Sequence, residues 1–137
     1  VIVADTGAII ALVDRDDRHH AEVAALFEKD PTAWVIPWAI LPEVDHLIMK
    51  YLGDAVATAF MNDLAHGAFT VEWGEDRDLQ RAAELRAQYA ALELGLVDSI
   101  VAATAERLRA AAIVTLDLRD FGALSLLGRP KLYPRDL

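Results

Sequence analysis

Short β-rich runs separated by helical stretches constrain this chain more than any other feature. Val1–Asp5 is an apolar run ending in an acid, and it reads as a buried strand. Trp34–Ile36 is a second short strand with Pro37 beside its end. Phe69–Trp73 alternates and is β-rich, Ala112–Leu116 is apolar and β-branched, and Lys131–Tyr133 offers a fifth short strand. Between them lie segments of helical periodicity. Thr6–Val13 is apolar nearly all round, and His19–Lys29 places Val23, Leu26 and Phe27 on one face. A helix is expected from after Pro37 to about Tyr51. Val56, Phe60 and Leu64 mark a fourth, Leu79 to Leu92 a fifth, and Leu96–Arg109 a sixth. Strands alternating with one or two helices imply an α/β fold, a three-layer α/β/α sandwich around a parallel sheet of about five strands. No repeat or linker interrupts residues 1–137, so they are read as a single domain.

In open parallel sheets ligands bind outside the carboxyl ends of the strands. Asp5 ends the first strand and Asp117 follows the fourth, so both belong on that rim. Asp98 and Glu43 each fall in a first helical turn, and helix starts of this kind face the same rim. Taken singly, Asp98 and Glu43 are explained by the macrodipole, which favours anions at helix starts. Asp5 or Asp117 alone could simply open a turn. Four carboxylates converging on one place is different, because like charges raise one another's pKa and call for a compensating cation. Hard oxygen donors suit Mg2+ or Mn2+. Such a site fits hydrolysis of a phosphodiester by in-line attack.

The net charge of −9 argues against a polyanionic partner. Bound divalent cations, or basic residues gathered on one face, would reverse that argument locally. Arg15, Arg18, Lys50, Arg119, Arg129, Lys131 and Arg135 are available, though no basic run exists. The absence of cysteine excludes thiolate metal sites and fits a cytoplasmic location. No apolar run reaches the roughly 18 residues of a membrane span, and no secretory signal pattern is evident.

Four blocks of sequence resemble the PIN-domain family, and within it the VapC-type toxins of bacterial VapBC toxin–antitoxin pairs. They are Val3-Ala-Asp-Thr-Gly-Ala-Ile-Ile-Ala-Leu, Leu41-Pro-Glu-Val-Asp-His-Leu, Leu94-Gly-Leu-Val-Asp-Ser-Ile-Val-Ala-Ala-Thr-Ala-Glu-Arg and Ile113-Val-Thr-Leu-Asp-Leu-Arg-Asp-Phe. The tail Tyr133-Pro-Arg-Asp-Leu is similar to the family's last strand and terminus. Pro42 departs from the small or hydroxyl residue usual before the Glu, but proline suits a first helical position. The resemblance implies Mg2+- or Mn2+-dependent endoribonuclease activity on RNA, inhibition by a cognate antitoxin, and a homodimer. It makes Asp5, Glu43, Asp98 and Asp117 the metal-binding, catalytic acids. Thr6 and Thr115 become supporting hydroxyls beside them. Asp120, three residues after Asp117, is either an accessory ligand or a helix-start acid.

Other residues carry less. Glu43 and His46 form one Glu-x-x-His pair, whereas a di-iron bundle needs two. His46 is read as an ordinary helix residue, His19 and His20 as a solvated helix start, and Asp14, Asp16 and Asp17 as a solvated loop. Trp34, Trp38 and Trp73 could stack on bases, but burial beside strands is the preferred expectation. Three alternatives compete with the toxin reading. One is a PIN-type nuclease without an antitoxin. The second is an Asp-nucleophile phosphohydrolase or receiver, disfavoured because Gly7 stands where a second Asp is usual and no Lys follows the late strand. The third is a non-catalytic interaction module.

Overall fold

A computed structural model of the chain describes all residues, Val1–Leu137. Five strands, β1 (Ile2–Ala4), β2 (Trp34–Pro37), β3 (Thr70–Glu72), β4 (Ala112–Val114) and β5 (Lys131–Tyr133), form one sheet in the order β3-β2-β1-β4-β5. Every pairing is parallel, with Val3 opposite both Val35 and Ile113. The helices are α1 (Thr6–Val13), α2 (His20–Lys29), α3 (Leu41–Tyr51), α4 (Asp54–Ala65), α5 (Asp76–Gln88), α6 (Leu96–Arg107) and α7 (Leu118–Phe121). The expected three-layer α/β/α sandwich with a five-stranded parallel sheet is present.

Burial explains the strand composition. All residues of β2 and β4 are buried, so neither face of the central sheet can carry the polar half of an alternating pattern. Helices α1 to α4 form one layer, in which α1 packs on α2 and α3, and α3 on α4. The other layer pairs α5 with α6, and α6 lies directly on β1 and β2. Its buried run Ser99, Val101, Ala102, Ala103, Thr104 and Ala105 is made of small residues, which lets the helix approach the strands closely.

Chain order fixes where the layers part. From β1 the chain moves to β2 and then β3 on one side; from β3 it crosses over to β4 on the other side of β1. The sheet therefore reverses direction between β1 and β4, and the crevice at their carboxyl ends is the topological switch point.

The structure trims and corrects several sequence expectations. Strand β1 stops at Ala4 because the Asp5 carboxylate caps α1, accepting the Thr6 N–H. The stripe expected to run to Leu92 is broken: α5 ends at Gln88, a single 3-10 turn spans Ala90–Leu92, and Glu93 adopts φ 53°. The expected helix to Arg109 stops at Arg107, and Arg109 itself sits at φ 51°. The tryptophans divide. Trp34 is buried, with Phe27 edge-on at 5.1 Å between ring centroids. Trp38 and Trp73 are 49% and 68% exposed and stack on each other at 4.4 Å, against the expectation of burial. Each stands just past the end of its strand, Trp38 after β2 and Trp73 after β3, beyond the cover of the helical layers. No helix is long and apolar enough to cross a membrane.

Candidate metal centre

The switch point is lined by carboxylates. Asp5, Glu43, Asp98 and Asp117 line one open cleft of about 590 Å3, together with Thr6, Gly7, Leu47, Gly95, Leu96 and Val97. Four different elements deliver the acids: the end of β1, the first turn of α3, the first turn of α6 and the cap of α7.

Asp5 is the anchored member. Only 5% of it is exposed; Oδ1 accepts the Thr6 N–H at 2.8 Å and Oδ2 accepts the Thr115 hydroxyl at 2.9 Å. Thr115 Oγ1 in turn accepts the Asp117 N–H at 3.0 Å. One fully buried hydroxyl thus ties the first acid to the backbone of the fourth, 112 positions later. Burial pushes the Asp5 carboxyl above its ordinary range, opposed by the Thr6 and Thr115 hydrogen bonds and reinforced by Asp117 and Glu43.

Asp98, Asp117 and Asp120 form the tightest group: one oxygen from each lies within 4.8 Å of the others. Asp117 caps α7 by accepting the Asp120 N–H at 3.2 Å, and this turn brings Asp120 back toward Asp117. Oδ1 of Asp120 is buried and has no hydrogen-bond partner. Oγ1 of Thr6 is in the same condition at the wall of the cleft. Burial, then Asp5, Asp117, Asp120 and Glu43, push the Asp98 carboxyl up to about 7. Glu43 is the exposed member of the set.

The sequence placed Asp5, Glu43, Asp98 and Asp117 on one rim, and they do line one cleft. Thr6 and Thr115 lie where the sequence put them, beside the first and fourth acids. Asp120 stands closer to Asp98 and Asp117 than a supporting position requires. The apolar wall of Leu47, Leu96 and Val97 was not anticipated, because nothing in those residue types signals a cleft. His46 is exposed on α3, and His19 is tied to Glu22 at 2.8 Å at the start of α2. His20 bonds the Ala11 carbonyl at 2.8 Å.

This donor set fits a hard divalent cation. All the donors are oxygens, two of the polar atoms are orphaned, and the repulsion recorded in Asp98 is what a cation would relieve. The pH dependence follows. Asp98 holds its proton to about 7 in the folded protein, against an ordinary value of 3.8. Between those values the folded state binds more protons than the unfolded state, so stability falls as pH rises. Metal-free protein is expected to melt at a higher temperature near pH 5 than near pH 8, and saturating Mg2+ should flatten the difference. Thermal unfolding with and without chelator measures it; a melting point that rises toward pH 8 without metal would contradict it.

Comparison with known proteins gives the family and the fold. The model of the PIN domain family matches residues 2–125. The chain belongs to the PIN-domain family. Ribonuclease VapC26 of Mycobacterium tuberculosis is 28% identical over 127 residues, covering 93% of this chain and 94% of the relative. Among solved structures, Mycobacterium tuberculosis VapC20, described as a sarcin-ricin loop cleaving toxin, superposes with a TM-score of 0.81 at 20% identity. The match covers 93% of this chain and 98% of that one. VapBC2 from Rickettsia felis, solved with a DNA fragment from its promoter, gives a TM-score of 0.71 at 16% identity over 96% of each chain. At these identities the solved structures share the fold.

Proposed function

We propose that this chain is the toxin of a VapBC-type toxin–antitoxin pair, a Mg2+- or Mn2+-dependent endoribonuclease acting in the cytoplasm. Asp5, Glu43, Asp98 and Asp117 are its metal-binding and catalytic acids, with Asp120 as an additional oxygen donor. Thr115 positions Asp5, and Thr6 supplies a hydroxyl at the cleft wall. The observation that carries the reading is the convergence of these acids at the switch point of a PIN-type sheet. The likeness to Ribonuclease VapC26 over nearly the whole length of both chains supports the substrate class and treatment of residues 1–137 as one domain.

A bound divalent cation supplies Lewis acidity for the phosphate and a water acidified toward neutral pH. The chain's own contribution is to hold the donors still. Thr115 fixes the Asp5 carboxylate from one side and the Thr6 N–H fixes it from the other. Asp117 is held by its cap on α7. Preset donors need no rearrangement when substrate arrives, which is where such sites gain rate. The cognate antitoxin is proposed to lay a segment over the cleft with a basic side chain among the acids. A complex with an open cleft would exclude that mode. The chain is also proposed to form a homodimer, supported by the exposed Trp38–Trp73 pair beside an apolar groove. Sedimentation as a monomer at micromolar concentration would remove the dimer.

The deciding experiment incubates purified protein with total cellular RNA and maps the cut ends. Cleavage is expected with Mg2+ or Mn2+ and not with chelator, and calorimetry should detect binding of the metal alone. Intact RNA under all metal conditions, with no metal binding by calorimetry, would favour the non-catalytic module. Phosphoryl-analogue trapping on Asp5 would instead favour the phosphohydrolase, which Gly7 disfavours.

A further inference from the structure

The acidic centre leaves open how a polyanion approaches a chain of net charge −9. Charge is not spread evenly. Residues 119–137 carry Arg119, Arg129, Lys131 and Arg135 against only Asp120 and Asp136, a local cationic excess. Elsewhere three arginines are already spent on carboxylates, while Arg15, Arg18, Arg86 and Arg109, which make no ion pair, are scattered in the sequence. Arg107 is bound by Glu72, Glu75 and Asp78, Arg81 by Glu84 and Glu106, and Arg77 by Glu75. Arg119 and Arg129 are exposed and make no ion pair within the protein. Arg135 gives Nε and Nη2 to Asp136 and keeps Nη1 unpaired.

The fold carries this excess to the edge of the acidic rim. Tyr133 at the end of β5 accepts the Thr115 N–H at 3.0 Å, and Thr115 is the residue that bridges Asp5 and Asp117. Arg135 follows two residues later. Arg119 lies on α7 between Asp117 and Asp120. At the far end of α7, a Cβ on Gly122 would stand 3.5 Å from Nη1 of Arg135, so the guanidinium lies against the glycine. Asp117 and Gly122 are five positions apart, about 7.5 Å at the rise of an α-helix. A groove of about 330 Å3 continues from there along the sheet edge, lined by Phe121, Gly122, Leu126, Arg129, Leu132 and Arg135.

We propose that Arg129 and Arg135 at the β5-edge groove, with Arg119 on α7 beside the acids, form a phosphate-gripping track, which holds the single-stranded RNA flank while the scissile bond sits at the acids. This rests on the ribonuclease reading and adds the binding surface that reading lacks. The cations neutralise backbone phosphates without reading bases, so they contribute affinity and register rather than sequence choice. Arg129 and Arg135 stand off from the cleft acids, which separates their binding role from chemistry, whereas Arg119 flanks Asp117 and Asp120. The other side of the rim cannot serve the same purpose, since the tryptophan pair there is flanked by Glu72, Glu75 and Asp76.

The test compares Arg119→Gln/Arg129→Gln/Arg135→Gln with a control triple of the same charge loss, Lys29→Gln/Arg86→Gln/Arg109→Gln. Binding of a short fluorescein-labelled single-stranded RNA is followed by anisotropy across salt concentrations, in parallel with Mg2+-dependent cleavage. Each phosphate contact contributes about 0.7 to the slope of log K against log salt for single strands, so the track variant should lose about 2 from that slope. Its KM is expected to rise about tenfold or more, and in the double variant Arg129→Gln/Arg135→Gln, which keeps the side chain between Asp117 and Asp120, kcat should stay unchanged, the signature of lost uniform binding. The control should match wild type. The track is overturned if its variant binds and cleaves like wild type, or no worse than the control. If the double variant Arg119→Gln/Arg129→Gln, which removes no internal bond, leaves the slope intact, the track is likewise overturned. A wild-type protein that neither binds nor cleaves RNA overturns the ribonuclease reading itself, a distinct result.

Discussion

Asp98→Asn is expected to abolish Mg2+-dependent RNA cleavage while raising the melting temperature of the metal-free protein. The two effects have one cause. Asp98 faces Asp5, Asp117, Asp120 and Glu43 and holds its proton to about 7 because of burial and these neighbours. An amide removes the repelling charge without disturbing a hydrogen bond, since the Asp98 carboxylate accepts none within the protein. The folded apo state is therefore relieved at neutral pH. The same substitution deletes an anionic oxygen from the proposed cation site. Loss of about 4 kcal/mol of transition-state stabilisation corresponds to a rate lower by about three orders of magnitude. Asp5→Asn should lose comparable activity with less gain in stability, because the Asp5 carboxylate is also the α1 cap and the Thr115 acceptor. Initial cleavage rates and thermal unfolding, with and without Mg2+, read both effects. Full activity in Asp98→Asn would end the four-acid assignment. A drop in apo stability would show that Asp98 is held for structure instead.

How far this site can be read from sequence depends on what holds each residue. Asp5 and Asp117 were legible because strand ends in a parallel sheet share a rim, and both strands are short enough to count. Asp98 and Glu43 look like ordinary helix-start acids, and only the motifs around them pointed inward. Asp120 was left undecided for a physical reason: α7 is four residues long, below what periodicity can reveal, and its turn is set by the Asp117 cap. The tryptophans failed in the opposite direction. Trp38 and Trp73 lie next to strands in sequence but past the strand ends in space, where exposure replaces burial. Least legible of all were the ion pairs of Arg107, which join residues 29 to 35 positions apart through the packing of α5 on α6. No local pattern records such pairing.

That network is where a single substitution should cost the most stability. The Arg107 side chain is 9% exposed, and it donates Nε to Asp78 Oδ1 at 2.7 Å and Nη2 to Asp78 Oδ2 at 3.0 Å. Nη2 also meets Glu72 at 2.6 Å, and Nη1 reaches Glu75 at 3.4 Å. Asp78 is 5% exposed at its side chain, and its remaining partner is the Glu75 N–H at 3.0 Å, within the capping box of α5. Arg107→Ala would leave a buried carboxylate beside two further acids with no cation. Breaking a buried pair from one side costs about 3–5 kcal/mol, more than the pair contributes relative to an apolar replacement. For a domain of this size that is a fall in melting temperature of about 10–20 °C. Arg107→Lys should recover part of it, since an ammonium restores charge but not the fork that spans Asp78 and Glu72 together. The damage should stay at that end of α6. Asp98 is nine residues away, about 14 Å along the helix, so Mg2+ affinity measured well below the melting point should match wild type. Equal thermal stability of Arg107→Ala and wild type would mean that the ion pairs are solvated surface contacts. A lost Mg2+ site in the folded variant would mean that α6 transmits the network to the acids.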